Sequence, residues 1–154
     1  MSISKWPKGA DAIEALLAKR HLDRVSGAAA VAEPWLRQAK RRLDTAKQIA
    51  DDDPESAFIL AYDAARFVGT ALLAQQGLRP TQAGGHLVVY EAVRDQFGGP
   101  FVQLGTLRRR RNELEYPAFP GEHVEATESR GAIAIAESLA ETARQLVDHL
   151  GLFT

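Results

Sequence analysis

The residues best equipped for chemistry form one tract, Leu107-Arg108-Arg109-Arg110-Arg111-Asn112-Glu113-Leu114-Glu115-Tyr116-Pro117. A guanidinium keeps its proton and presents a planar fork of donors, so arginines in series point to phosphate or carboxylate. Four consecutive arginines on a helix cannot share a face. Counting about 100° per residue from Leu104, Phe101 falls near about +60°, Leu107 near about -60° and Leu114 near about -80°. On the same count Arg111 lies near about -20° and Arg108 near about +40°. Arg111 is therefore expected at the centre of the apolar face, with Arg109 and Arg110 pointing away. A buried charge without a partner is costly. Arg111 must then either pair with an inward carboxylate such as Asp63 or aim into a groove that holds phosphate.

Three further groups carry weight. His86 follows Gly84-Gly85, where a helix N-terminus lowers an imidazole pKa and favours an anion. His123 lies in the loop after Tyr116, within reach of the arginine tract if that loop folds back. Residues 35–47 hold Arg37, Lys40, Arg41, Arg42 and Lys47 against Asp44, a net +4. That run reads as a solvated helix face or as a phosphate-contacting surface, with Trp35 beside it as a core anchor or a stacking platform. His21 and His149 have no partner pattern, and no spacing of His, Asp and Glu suggests a metal site. P-loop, dinucleotide and GxSxG patterns are missing. No cofactor is expected.

The elements that must position these residues are helices. The 154 residues include 26 Ala and 17 Leu against 9 Val and 6 Ile. That balance favours helix over strand. Asp11 to about Arg20 reads as a short first helix. Leu36, Ala39, Leu43, Ala46 and Ala50 make one apolar stripe over Glu33–Ala50. Asp53 caps the next helix, Pro54 opens it and Gly77 stops it. Its apolar residues occupy most of the circumference, so it is expected at the centre. His86–Phe97 is the fourth helix, and the fifth runs from Pro100 to Glu115, because Pro117 disfavours helix at Tyr116. A loop follows, then a last helix over about Thr127–Leu150. The expected fold class is all-α: an antiparallel bundle of four to five main helices over residues 31–154. Residues 1–30 form an N-terminal extension with the short helix.

Composition excludes other classes. The chain has 19 Lys and Arg against 20 Asp and Glu, and no cysteine. Thiol chemistry, disulfide frameworks and Cys-ligated zinc are ruled out. A net charge of -1 excludes a uniformly basic coat but not a basic patch. No signal-type apolar core follows the N-terminus and no run suggests a membrane span, so the expected location is cytoplasmic, without membrane association.

The tract and its surroundings resemble the HEPN superfamily (higher eukaryotes and prokaryotes nucleotide-binding). That family's signature is Arg, often followed by Asn, with a His four to six positions after the Arg. Arg111-Asn112 matches the start, and Tyr116 stands at the spacing where the His is expected. Ala61-Tyr62-Asp63-Ala64-Ala65 leading to Ala71-Leu72-Leu73 and Gly77 is similar to the family's central helix. Gly85-His86-Leu87 to Phe97 is similar to the helix that follows. The resemblance covers residues 33–150. It implies a helical bundle that homodimerises and joins two motifs in one groove. It also implies RNA or nucleotide as ligand, and either metal-independent ribonuclease activity of toxin–antitoxin or defence type, or a binding module that has lost catalysis. Arg111, Asn112 and Tyr116 would be the catalytic set. Arg108, Arg109, Arg110 and His86 would hold phosphate, and Asp63 would support Arg111. An antitoxin, or a nucleotidyltransferase that modifies Tyr116, is an implied partner. An unperturbed phenol has a pKa near about 10, so Tyr116 is a poor base at neutral pH.

Overall fold

In the computed structural model, which describes residues 3–154, the clearest helix start falls at Asp53. Its carboxylate accepts the Ser56 N–H at 3.2 Å, and Pro54 occupies the first turn, where its missing donor leaves nothing unpaired. That bond holds the Asp53 carboxyl below its ordinary value. The helix that follows, Pro54–Gln75, is apolar around most of its circumference, with buried residues from Ala57 to Ala74. By length and composition it could cross a membrane, but most of its surface is covered by the other helices. Phe58, Leu72 and Leu73 are at most 2% exposed. Each such side chain contributes about 1.5–3 kcal/mol relative to exposure.

The other elements wrap this helix to give an all-α bundle, with six α-helices among the described residues. In chain order they are α1 (Ala10–Ala18), α2 (Glu33–Ile49), α3 (Pro54–Gln75), α4 (Gly85–Phe97), α5 (Val102–Glu115) and α6 (Ala126–Val147). A short ribbon pairs β1 (Leu22–Arg24) with β2 (Leu78–Pro80), antiparallel, with Leu22 opposite Pro80. The sequence offers no alternation long enough to announce it. The pair forms because α3 ends at Gln75, Gly77 turns the chain at φ +72°, and the next residues must return along the bundle before α4 begins.

Cross-helix contacts give the directions. Glu33 meets Arg144 and Lys47 meets Glu137, so α2 and α6 are antiparallel. Gly105 on α5 packs against Tyr90 on α4, and Phe101 meets Phe97, so these two are antiparallel as well. In contrast Tyr62 meets His86 and Gln76 meets Gln96, so α3 and α4 run the same way. That direction results from the return of the chain through residues 76–84.

The N-terminal extension joins the same core through Ile13, Leu16 and Leu22. Trp6 donates its indole N–H to the Gln96 carbonyl at 2.8 Å. Deeper still, the side-chain amides of Gln76 and Gln96 bond each other reciprocally at 2.9 and 2.7 Å with no exposure. A fully satisfied buried pair of this kind fixes the relative position of α3 and α4. The α5 helix begins at Val102 rather than Pro100, because Gly99–Phe101 forms a tighter turn first.

Candidate functional site

The α5 helix divides the arginine tract between two sides. Leu104, Gly105 and Leu107 are buried against the bundle. Arg108 and Arg111 stand on one flank of that buried strip, with Glu115 a turn beyond. Arg110 stands on the other flank, where the chain returns through the 117–125 loop to α6.

Arg110 was expected to point away from the protein, as a phosphate contact. It is instead the most fully bonded arginine in the tract. Its Nε donates to both Glu128 carboxylate oxygens at 3.0 and 3.2 Å. One terminal nitrogen donates to Glu122 at 2.7 Å and Glu113 at 3.1 Å, and the other to the His123 carbonyl at 2.9 Å. These bonds, Glu122's first, raise its pKa above the ordinary arginine value. Three carboxylates balance its charge and four of its five N–H donors are engaged, so Arg110 clasps the loop and α6 onto α5. Arg109 is exposed and bonds only Thr106, at 3.3 Å. It lines an apolar groove of about 510 Å³ with Phe58, Leu107, Ala132 and Ile135.

On the opposite flank the partners are sparse. Arg111, a quarter exposed, forms a close ion pair with Glu115 one turn along α5. The expected pairing with Asp63 does not occur, since a partner on the same helix face needs no second element to be ordered. Asp63 faces Arg66 instead, at 3.8 Å. Arg108 has its Nε buried without an acceptor, and so does Arg66. Such a donor costs stability unless something bonds it.

Gly85 adopts φ +57° at the start of α4, a conformation that favours glycine, and delivers His86 against Tyr62 with ring centres 5.7 Å apart. Burial lowers the His86 pKa first; the charges of Arg66 and Arg111 lower it further, while Asp63 and Glu115 oppose them. The imidazole is thus neutral at physiological pH. Tyr62 is 1% exposed, and burial pushes its phenol up to about 12 against the pull of Arg66, Arg108 and Arg111. His86 and Arg66 open onto a depression of about 340 Å³ shared with Thr81, Gln82 and Gly85.

Around the packed pair of Tyr62 and His86 the structure therefore gathers Arg66, Arg111 and Asp63, with Arg108 on the Tyr62 side and Glu115 on the His86 side. It does not bring Tyr116 to them. Tyr116 caps α5 at 77% exposure, and no hydrogen bond ties its hydroxyl to the cluster among the described residues. Asn112 is exposed, and its carbonyl accepts the Tyr116 N–H at 2.8 Å. His123 turns to Glu125 at 2.9 Å and to the Gly121 carbonyl, which raise its pKa, the carbonyl first. It does not fold over the arginines of the other flank.

Arg66 is the residue that the sequence reading missed. A signal was available: Asp63 and Arg66 are the only charges between Ala57 and Ala74. Tyr62, Asp63 and Arg66 fall on one side of α3, the side that meets α4 and α5. Among the described residues, no group of three or more His, Asp and Glu stands close enough to hold a metal ion. Compared with protein-family models, curated proteins and solved structures, the chain matches none.

Proposed function

We propose that the protein binds RNA, with Arg66, Arg108 and Arg111 holding a phosphate beside His86. The observation that carries this reading is that Arg66, Arg108 and Arg111 surround the buried Tyr62 phenol, against which His86 packs, and that two of these guanidiniums have a buried Nε lacking an acceptor among the described residues. A phosphodiester supplies what the cluster lacks: an anion with several acceptor oxygens. The order of helices and the Arg111-Asn112 pair add the HEPN-like resemblance to that support, and with it the expectation of a homodimer. The test is binding of a labelled, non-cleavable RNA before and after the double change Arg108→Met/Arg111→Met. Unchanged affinity in a variant that keeps its fold would remove the reading.

His86 favours a second, stronger form of the proposal: RNA cleavage without metal. The 2′-hydroxyl proton passes to the His86 imidazole, and the 2′-oxygen attacks phosphorus. The guanidiniums balance the charge of the phosphorane. The 5′-oxygen leaves with a proton from water, the hydroxide so formed takes the proton back from the His86 imidazolium, and a 2′,3′-cyclic phosphate remains. His86 takes here the role that the motif spacing assigns to Tyr116, because its lowered pKa leaves the imidazole unprotonated and able to accept a proton at neutral pH. Incubation with labelled RNA and EDTA decides it: RNA left intact at high protein concentration reduces the protein to a binding module. Tyr116, exposed, remains the residue for a nucleotidyltransferase partner to modify, which a mass shift on protein produced with such a partner would reveal.

A further inference from the structure

The arginines of α2 were left open between a solvated face and a phosphate surface, and the packing around Phe67 connects them to the His86 cluster. The Arg42 guanidinium lies 4.4 Å from the centre of the Phe67 ring and that of Arg66 4.7 Å from it, with Trp35 tilted against the same ring at 5.5 Å. Arg66 thus belongs to two places at once: the Phe67 stack and the surroundings of Tyr62 and His86. Stacking on an aromatic ring holds a guanidinium in place and leaves its edge donors free.

Charge pairing separates the cations of α2. Lys40 is paired with Asp44 at 2.9 Å and Lys47 with Glu137 at 2.7 Å. Arg37, Arg41 and Arg42 have no carboxylate partner among the described residues. Arg42 reaches only Gln38, at 3.5 Å. Arg37 and Arg41 border a shallow depression of about 520 Å³ with Pro34, Gln38 and the Lys40–Asp44 pair. Arg37, Arg41 and Arg42 thus stand on α2 without a carboxylate among the described residues; across Phe67 from Arg42 lies Arg66, which Asp63 approaches at 3.8 Å and which shares the surroundings of Tyr62 with Arg108.

From this arrangement we infer that the ligand is an extended single strand whose backbone crosses α3, with phosphates seated on Arg37, Arg41 and Arg42 as well as at His86. This rests on the proposed RNA-binding reading and adds the size of the ligand: a strand several phosphates long rather than a nucleotide. Packed helices lie about 8–10 Å apart. A path over three of them exceeds the reach of a single nucleotide.

The experiment compares a 2′-O-methyl dodecauridine strand with the corresponding dinucleotide, on the full chain and on the triple variant Arg37→Gln/Arg41→Gln/Arg42→Gln. All three side chains are exposed or half-buried, and circular dichroism verifies the fold. The wild-type protein should bind the longer strand more tightly. The triple change should weaken that strand roughly tenfold or more and lower its salt slope by roughly 2, at about 0.7 per phosphate contact for single strands. The dinucleotide should be affected less than twofold. If the triple variant keeps both the affinity and the slope for the dodecamer, the track is wrong while the His86 site stands. If the wild type binds neither RNA, the site reading falls with it. Equal binding of a polyglutamate chain of matched charge would overturn the assignment to a nucleic acid.

Discussion

Arg110 and Arg111 are neighbours in sequence and identical in chemistry, yet they lie in opposite electrostatic settings. Arg110 donates to three carboxylates and a carbonyl, and its surroundings are complete without a ligand. Arg111 has a single carboxylate partner on its own helix, and its charge bears on Tyr62 and His86, as that of Arg66 does. On the first flank positive charge is neutralised, and it fastens the α5–α6 loop. On the second, positive charge accumulates around an imidazole. Whether an arginine serves stability or recognition is decided by the carboxylates that surround it.

The largest expected effect tests the recognition flank. If the protein cleaves RNA, His86→Ala should reduce the rate by about 10²–10⁴ while leaving the affinity for uncleavable RNA within a few fold. A variant that cleaves as fast as the wild type would return the proton transfer to Tyr116. The pH profile sharpens this. The neutral imidazole is the active form and its pKa is lowered, so the acid limb should have its midpoint below about 6.5. A limb centred above that value excludes His86.

Arg110→Met should strike stability instead. It strands three carboxylates, of which only Glu122 is mostly buried, and breaking such a half-exposed ionic network costs about 1–2 kcal/mol, or roughly 2–8 °C in Tm for a chain of this size. Thermal denaturation reads the loss, and RNA affinity of the folded fraction should stay as it was. An affinity loss without a change in Tm would invert the comparison.

Arg111→Met should behave in the opposite way, weakening RNA about tenfold and shifting stability by only about 0.5 kcal/mol, the size of a helical ion pair near the surface. Arg108→Met goes further, since it removes a buried donor that has no acceptor. Stability should hold or rise slightly, and titration with RNA should show weaker binding.

The smallest effect is on pH-dependent stability, and the two histidines should oppose each other. His86 has a lowered folded pKa, so its contribution is present above the unfolded value near about 6.5 and is lost as pH falls through the folded pKa. His123 has a raised folded pKa, so its contribution is present below about 6.5 and is lost as pH rises through the folded value. Urea titrations of His86→Gln and His123→Gln between pH 5 and 8 should change slope in opposite directions.

Much of the fold was legible because its signals are local. The Asp53-Pro54 start, the Gly77 stop, Gly84-Gly85 before α4 and Pro117 after α5 act within one helical turn, so they can be read residue by residue. The inward position of Leu104 and Leu107 follows from helical periodicity alone. What could not be read depends on partners far along the chain. The role of Arg110 requires Glu122 and Glu128, which reach it only after the loop folds back. The meeting of His86 with Tyr62 and Arg66 requires α3 and α4 to run the same way, held by the Gln76–Gln96 pair.

By itself, then, the sequence determined an all-helical bundle and the approximate extent of its main helices, since helix periodicity and capping are short-range. The tertiary structure alone decided which arginines are neutralised, that His86 rather than Tyr116 faces them, and that Arg66 and Phe67 join α2 to that site. Each of those outcomes depends on charges and rings brought within a few ångströms by packing, and a linear pattern of residues does not encode that distance.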